Sequence, residues 1–175
     1  MAVIQLIQCG QSLTSSVQGT ALVITGEGEM NDYTSSENAP WYSKADIIET
    51  IELPEDLTSI GSYAFYKLTK VTTITIPTNV ASIGAGAFYG CSSLQKITIP
   101  PKVTTIGESF FYQCNKLESI EFLGDVTTID ANTFYYCNSL LTVTIPSNVT
   151  SIGTFAFYYC TSLQNITIPS KVTTL

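Results

Sequence analysis

Five stretches of the chain write one pattern at a spacing of 23 residues: SIGSYAFYKL (59 to 68), SIGAGAFYGC (82 to 91), TIGESFFYQC (105 to 114), TIDANTFYYC (128 to 137) and SIGTFAFYYC (151 to 160). A unit this short cannot enclose its own apolar side chains. It must bury them against identical units stacked on either side, so the period predicts a solenoid. The apolar columns run through Ile60, Ile83, Ile106, Ile129, Ile152 and Leu175, through Phe65, Phe88, Phe111, Phe134 and Phe157, and through Leu68, Cys91, Cys114, Cys137 and Cys160. Further columns begin at Val71, Ile74, Ile76 and Val80. An apolar fraction of 45% suits such a core and argues against disorder.

Within each unit one stretch alternates and is rich in β-branched residues: VTTITIP (71 to 77), then QKITIP, ESIEFL, LTVTIP and QNITIP. It predicts one strand per coil, with Ile74 and Ile76 pointing inward and Thr75 outward. The return segment is too short and too interrupted by Gly and Ser for a long helix, so at most a helical or 3₁₀ turn is expected around AFYGC. Gly61, Gly84, Gly107 and Gly153 share a position with Asp130, which predicts a left-handed turn there. Five coils at a ~4.8 Å strand spacing make a rod about 25 Å long.

The expected architecture is a leucine-rich repeat β-solenoid, with a parallel concave sheet, short convex turns and a β-rich N-terminal cap. Residues 1–41 form the cap and 42–175 the repeats. Residues 42–58 read as a degenerate first repeat, placing Tyr42, Ala45, Ile48, Ile51, Leu53, Pro54 and Leu57 on the Phe, Cys, Leu, Ile, Ile, Pro and Val positions. In the cap, VIQLIQ (3 to 8) and ALVIT (21 to 25) read as strands and residues 26 to 42 as a loop. Trp41 is expected to plug the first coil. At the other end KVTTL stops midway through a coil. The edge at Phe157, Ile166, Ile168 and Val172 predicts a symmetric end-to-end homodimer.

With its motifs set out, the sequence resembles the BspA-like (Treponema pallidum-type) leucine-rich repeat family of bacterial and protist surface proteins. The frame that carries the likeness is SIGAGAFYGCSSLQKITIP (82 to 100), with CGQSL (9 to 13), ALVITGEGEM (21 to 30) and APWYSKADII (39 to 48) matching the family's opening. The resemblance implies a surface antigen that adheres to host matrix or cell-surface proteins, and it supplies no catalytic residues. The stretch MAVIQLIQC lacks the basic flank and cleavage site of a secretory signal, and no apolar run is long enough to span a membrane. A cell-surface or secreted location therefore rests on the resemblance, with a cytoplasmic one open beside it.

Two displayed surfaces are candidates for binding a protein. The concave face carries Thr75, Lys96, Thr98, Glu118, Glu121, Thr142, Thr144, Asn165 and Thr167. Threonine there is first a solvated β-former, and by analogy the leading binding surface. The convex side carries Tyr66, Tyr89, Tyr112, Tyr135 and Tyr158, thickened by Tyr136 and Tyr159. These read first as ring-to-ring packing and second as an interface strip.

Other chemistries are disfavoured. Stacked cysteines have Cβ atoms ~4.8 Å apart, beyond the ~3.8 Å of a disulfide, and Leu68 fills the same column, so the thiols read as free and packed. Without histidine, mixed Cys/His zinc sites are excluded. The acidic stretch Glu27, Glu29, Asp32, Glu37 fits no calcium loop and reads as solvated surface. No metal or cofactor is expected. Residues 1 to 58 hold nine carboxylates and one lysine, whereas 59 to 175 hold five and six, with no arginine anywhere. That leaves no basic footprint for nucleic acid. The absence of His and Arg, of a phosphate loop and of paired carboxylates argues against an enzyme. The alternative to adhesion is an intracellular scaffold that assembles through its C-terminal edge.

Overall fold

The computed structural model describes residues 4–35 and 38–175 as a parallel β-solenoid closed at its N-terminal end by a hairpin. The hairpin is larger than expected. β1 (Ile7–Gln8), β2 (Gly10–Gln18) and β3 (Ala21–Met30) pair antiparallel. Only the end of the expected first strand is extended in a ladder, and its residue 3 lies outside the described residues. β2, rich in Ser, Thr and Gln, gave little β signal, yet its Leu13 and Ser15 are buried beneath the sheet. β3 runs on through GEGEM, where the sequence predicts a loop. Its left-handed Gly26 and Gly28 let the strand continue past Ser12, whose backbone leaves no room for a Cβ at Gly26.

After the single 3₁₀ turn among the described residues, Tyr42–Lys44, come β4 (Thr50–Glu52) and β5 (Leu57–Ile60). Both pair parallel with β3, so the hairpin satisfies the edge of the first coil, which would otherwise present unpaired backbone. The remaining coils then contribute β6 (Ser82–Ile83) and β7 (Lys96–Ile99), β8 (Thr105–Ile106) and β9 (Ser119–Phe122), β10 (Thr128–Ile129) and β11 (Thr142–Val143), and β12 (Ser151–Ile152). Each full coil thus adds two short strands where one was expected. One lies in the Thr-Ile stretch before the Gly position, the other in the ITIP stretch. Each pairs in register with at least one neighbouring coil, as in Ile97↔Ile120 and Ile129↔Ile152.

The convex return segment is a run of turns without a helix. Left-handed residues recur at two positions in every coil: Tyr63, Gly86, Ser109, Asn132 and Phe155, then Lys67, Gly90, Gln113, Tyr136 and Tyr159. A left-handed residue every fourth position stops a right-handed helix from propagating. The freed N–H groups bond forward to the next coil, Tyr63, Phe65 and Lys67 donating to the carbonyls of Ala85, Ala87 and Tyr89, and likewise down the stack to Asn132, Phe134 and Tyr136, which donate to Thr154, Ala156 and Tyr158.

These positions also correct the glycine expectation. Gly61, Gly84, Gly107 and Gly153 are not left-handed. A Cβ on Gly84 would sit 2.3 Å from the Ser62 backbone nitrogen, and on Gly153 2.3 Å from that of Ala131. Glycine is needed there for close approach of consecutive backbones. At Gly107 the nearest atom is 3.5 Å away, and the ladder between β6 and β8 is open at that junction.

The core is a set of columns. Phe65, Phe88, Phe111 and Phe134 are at most 1% exposed, and the rings of Phe88, Phe111 and Phe134 stack at 5.7 and 5.5 Å. Trp41 plugs the first coil as expected: it is buried, stacks on Phe65 at 6.4 Å and donates its indole N–H to the Ala64 carbonyl. It therefore holds the phenylalanine position, and Tyr42 stacks instead on Tyr66 at 5.8 Å. The frame is one residue longer at this coil than the 23-residue grid allows.

Candidate interaction surfaces

On the strand side, every second residue is excluded from the core because Cβ atoms alternate across a strand. Ile97 and Ile99 are buried while Lys96 and Thr98 are exposed, and the same alternation leaves Thr75, Glu121, Thr142, Thr144, Asn165 and Thr167 exposed. Eight of the nine concave candidates share the outward parity of their strands, while Glu118, just ahead of β9, is exposed with the parity of the buried Ile120. The register places Ser119, not Glu118, beside Lys96, and Glu121 beside Thr98, whose hydroxyl donates to the Glu121 carboxylate at 3.3 Å.

Pairing on this face is fullest between β7 and β9 and thins outward to the single bridges Thr73↔Lys96 and Thr142↔Asn165. Where the last two coils diverge, a cleft of about 440 Å³ is lined by Thr142, Thr144, Asn165 and Thr167. Two residues absent from the sequence expectation stand at this face: Leu123 and Leu141 are 52% and 46% exposed. Leu123 replaces the proline that ends other strands, and its N–H donates to the Ile99 carbonyl. That break in the Pro column was the available signal.

On the convex side the expected tyrosine strip forms a stack. Ring centroids step 5.3, 4.5, 4.7 and 4.9 Å from Tyr66 through Tyr89, Tyr112 and Tyr135 to Tyr158. Tyr136 and Tyr159 make a second row at 4.8 Å. Most rings are half-buried, and Tyr158 and Tyr159 are exposed. Desolvation, followed by the neighbouring phenols of Tyr112, Tyr66 and Tyr63, pushes the Tyr89 phenol up to about 12, so that ring is neutral at physiological pH. Lys67 lies over the Tyr66 ring at 5.1 Å. Phe155, 58% exposed and edge-on to Tyr158, was not among the sequence candidates. Its left-handed backbone, invisible in a helix-or-strand reading, is what turns it outward.

Between the surfaces the thiols are sealed. Cys91, Cys114, Cys137 and Cys160 each donate to the carbonyl of the phenylalanine in the coil before, Phe65, Phe88, Phe111 and Phe134, at 3.0 to 3.3 Å. All are free. Burial raises the Cys91 thiol to about 12 and Cys160 to about 11, so neither is a nucleophile at neutral pH. At the C-terminal edge Phe157 stacks on Phe134 at 5.1 Å and is half-buried with Ile166 and Val172, while Ile168 is 40% exposed.

In the cap, Glu27, Glu29, Asp32 and Asp56 line an acidic hollow of about 830 Å³, and the Asp32 carboxylate accepts the Ser62 N–H. Glu37 lies outside the described residues. Among the described residues no three metal-ligating side chains converge. Nor is any helix long and apolar enough to cross a membrane.

The family model for the BspA type leucine rich repeat region matches residues 38–154 and 127–175. Among solved structures the fold is similar to the leucine-rich repeat protein of Treponema pallidum (22% identity over 83% of this chain and 84% of that one, TM-score 0.66). It is also similar to a leucine-rich repeat protein from Eubacterium ventriosum (23%, 99% and 62%, TM-score 0.57) and to a leucine rich cell surface protein from Faecalibacterium prausnitzii (22%, 99% and 55%, TM-score 0.57). The chain spans less than two thirds of the length of the latter two. No curated protein matches it.

Proposed function

The chain belongs to the BspA-type leucine-rich repeat family, and from that premise we propose that it is a non-enzymatic protein-recognition module, acting in adhesion at the cell surface, with the 42–175 repeats displaying the binding face and the 1–41 cap closing their edge. The concave face is the binding surface, and its partner is a host matrix or cell-surface protein. One observation carries this reading: eight outward side chains on that face are all exposed and alternate with residues locked in the core. A rigid array of side chains binds with little ordering cost.

The test is surface plasmon resonance of the purified chain against a panel of purified extracellular-matrix proteins, repeated with the Thr98→Lys, Thr144→Lys double variant. Loss of at least tenfold in affinity supports the concave site. Unchanged binding by the variant refutes it, and turnover of a substrate by the pure protein refutes the non-enzymatic reading.

A second reading, an intracellular scaffold that self-associates, is favoured by the exposure of Ile168 beside half-buried Phe157, Ile166 and Val172. Light scattering over a concentration series, with Ile166→Lys and Ile168→Lys for comparison, separates a dimer through this edge from a monomer.

A further inference from the structure

The third of the five repeat strands departs from the pattern where the other four agree. Those end on Pro77, Pro100, Pro146 and Pro169, whereas the third runs through Glu121, Phe122, Leu123, Gly124 and Asp125. The prolines are buried or half-buried, and Leu123 is 52% exposed. The fold accounts for part of the change. Gly124 is glycine because a Cβ there would strike the Pro101 carbonyl, and Leu123 donates its N–H to the Ile99 carbonyl. Any residue but proline makes that bond, so the backbone does not require leucine.

One exposed leucine is ordinary on a protein surface, but the surroundings of this one are not. Beside it, Pro100, Ile74, Ile76, Thr75 and Thr98 line a hollow of about 180 Å³, room for one side chain. Two residues to either side, Glu121 and Asp125 are exposed, alternating with half-buried Phe122 and Gly124. Their side-chain partners among the described residues are neutral: the Thr98 hydroxyl donates to Glu121 at 3.3 Å and the Asn148 amide to Asp125 at 2.7 Å. Lys102, one coil before Asp125, instead donates to Asn79 on its other side at 3.0 Å. An apolar hollow in the middle of the solenoid is thus bracketed by two carboxylates that no lysine among the described residues neutralises.

That order is complementary to an extended chain. In a strand, residues two apart face the same way. A segment carrying basic, apolar and basic side chains at alternate positions sets the apolar one in the hollow against Leu123 while its two cations meet Glu121 and Asp125. Two carboxylates together also reject an acidic segment. Resting on the concave-face reading above, we propose that Glu121, Leu123 and Asp125 are its specificity element, and that they dock an extended segment of a partner protein with this alternating basic and apolar pattern.

The experiment measures fluorescence anisotropy of a labelled, end-blocked peptide, Thr-Lys-Thr-Ile-Thr-Lys-Thr, titrated with the full chain. Beside it run versions with glutamate for both lysines, with serine for isoleucine, and with the same residues reordered as Lys-Lys-Thr-Thr-Thr-Thr-Ile. Only the first is expected to bind, more weakly as salt rises. Leu123→Ser and the double variant Glu121→Gln, Asp125→Asn are each expected to weaken it at least about tenfold, the second also flattening the salt dependence. Both amides keep an oxygen to accept from Thr98 and Asn148, so the double variant should hold its Tm and decides the outcome if Leu123→Ser does not. Leu141→Ser, which removes the other exposed leucine of this side, should bind as the parent does. The proposal is overturned if the peptide fails to bind at millimolar protein, if any of the three comparison peptides matches it, if the double variant binds it unchanged, or if Leu141→Ser weakens it as much as Leu123→Ser. The broader reading is separable. A matrix protein lost by Thr98→Lys, Thr144→Lys but held by Glu121→Gln, Asp125→Asn and by Leu123→Ser keeps the concave site and overturns this proposal alone. A matrix protein that Thr98→Lys, Thr144→Lys still holds removes both.

Discussion

The concave and convex sides of each coil hold the same neighbours together by different means. On the concave side, in-register strands share hydrogen bonds that are complete at β7 and β9 and reduced to single bridges at Thr73 and Asn165. On the convex side, three N–H groups per coil bond forward at each junction from the Tyr63 turn to the Asn132 turn, above stacked rings and thiols that all reach back one coil. The turns, not the strands, form the more continuous seam. A strand face can thus vary its outward residues at little cost to the fold, while the convex side is bound by packing and backbone conformation.

Alkaline titration should break this asymmetry most strongly. Burial raises Cys91 and Cys160 to about 12 and 11 and holds Cys114 and Cys137 well above the ordinary thiol value of 9.0. The unfolded thiols lose protons first. Stability is therefore whole below pH ~9 and falls as pH climbs toward 12, by up to ~1.4 kcal/mol per pH unit per thiol. Circular dichroism melts from pH 8 to 11 should show the decline, and Cys91→Leu, which copies Leu68, should make it shallower.

Removing a ring comes next. Phe111→Ala opens the convex column between Phe88 and Phe134 and should cost about 3–5 kcal/mol in urea unfolding. Adding one methyl distinguishes tight junctions from loose ones. Gly84→Ala drives a Cβ against the Ser62 backbone and should cost about 1–3 kcal/mol, whereas Gly107→Ala, with 3.5 Å of room, should cost well under 1. Gln113→Gly relieves a left-handed side chain and should gain about 0.5–1 kcal/mol. Smallest of all, Thr98→Ala on the concave side should change stability by no more than about 0.5 kcal/mol. A loss comparable to that of Phe111→Ala would mean the strand face is as binding on the fold as the turns.

Recurrence in the letters is enough to establish the solenoid, its 23-residue coil, the inward Ile74 and Ile76, the outward Thr75, the free thiols and the tyrosine row. Each follows from which residues recur at a fixed interval, and recurrence is read directly from letters. The letters also mark Trp41 as the plug, though not its place on the Phe column. Tertiary structure decided what recurrence cannot state: that Gly84 is glycine because Ser62 lies against it, that left-handed backbone sits at Gly86 and Gly90 instead, and that each coil has a second strand. It also showed that β2, polar in composition, seals the first coil with Leu13. The exposure of Phe155 was hidden for the same reason. A residue's letter gives its chemistry, but its backbone conformation and its neighbour one coil away are set only when the coils stack.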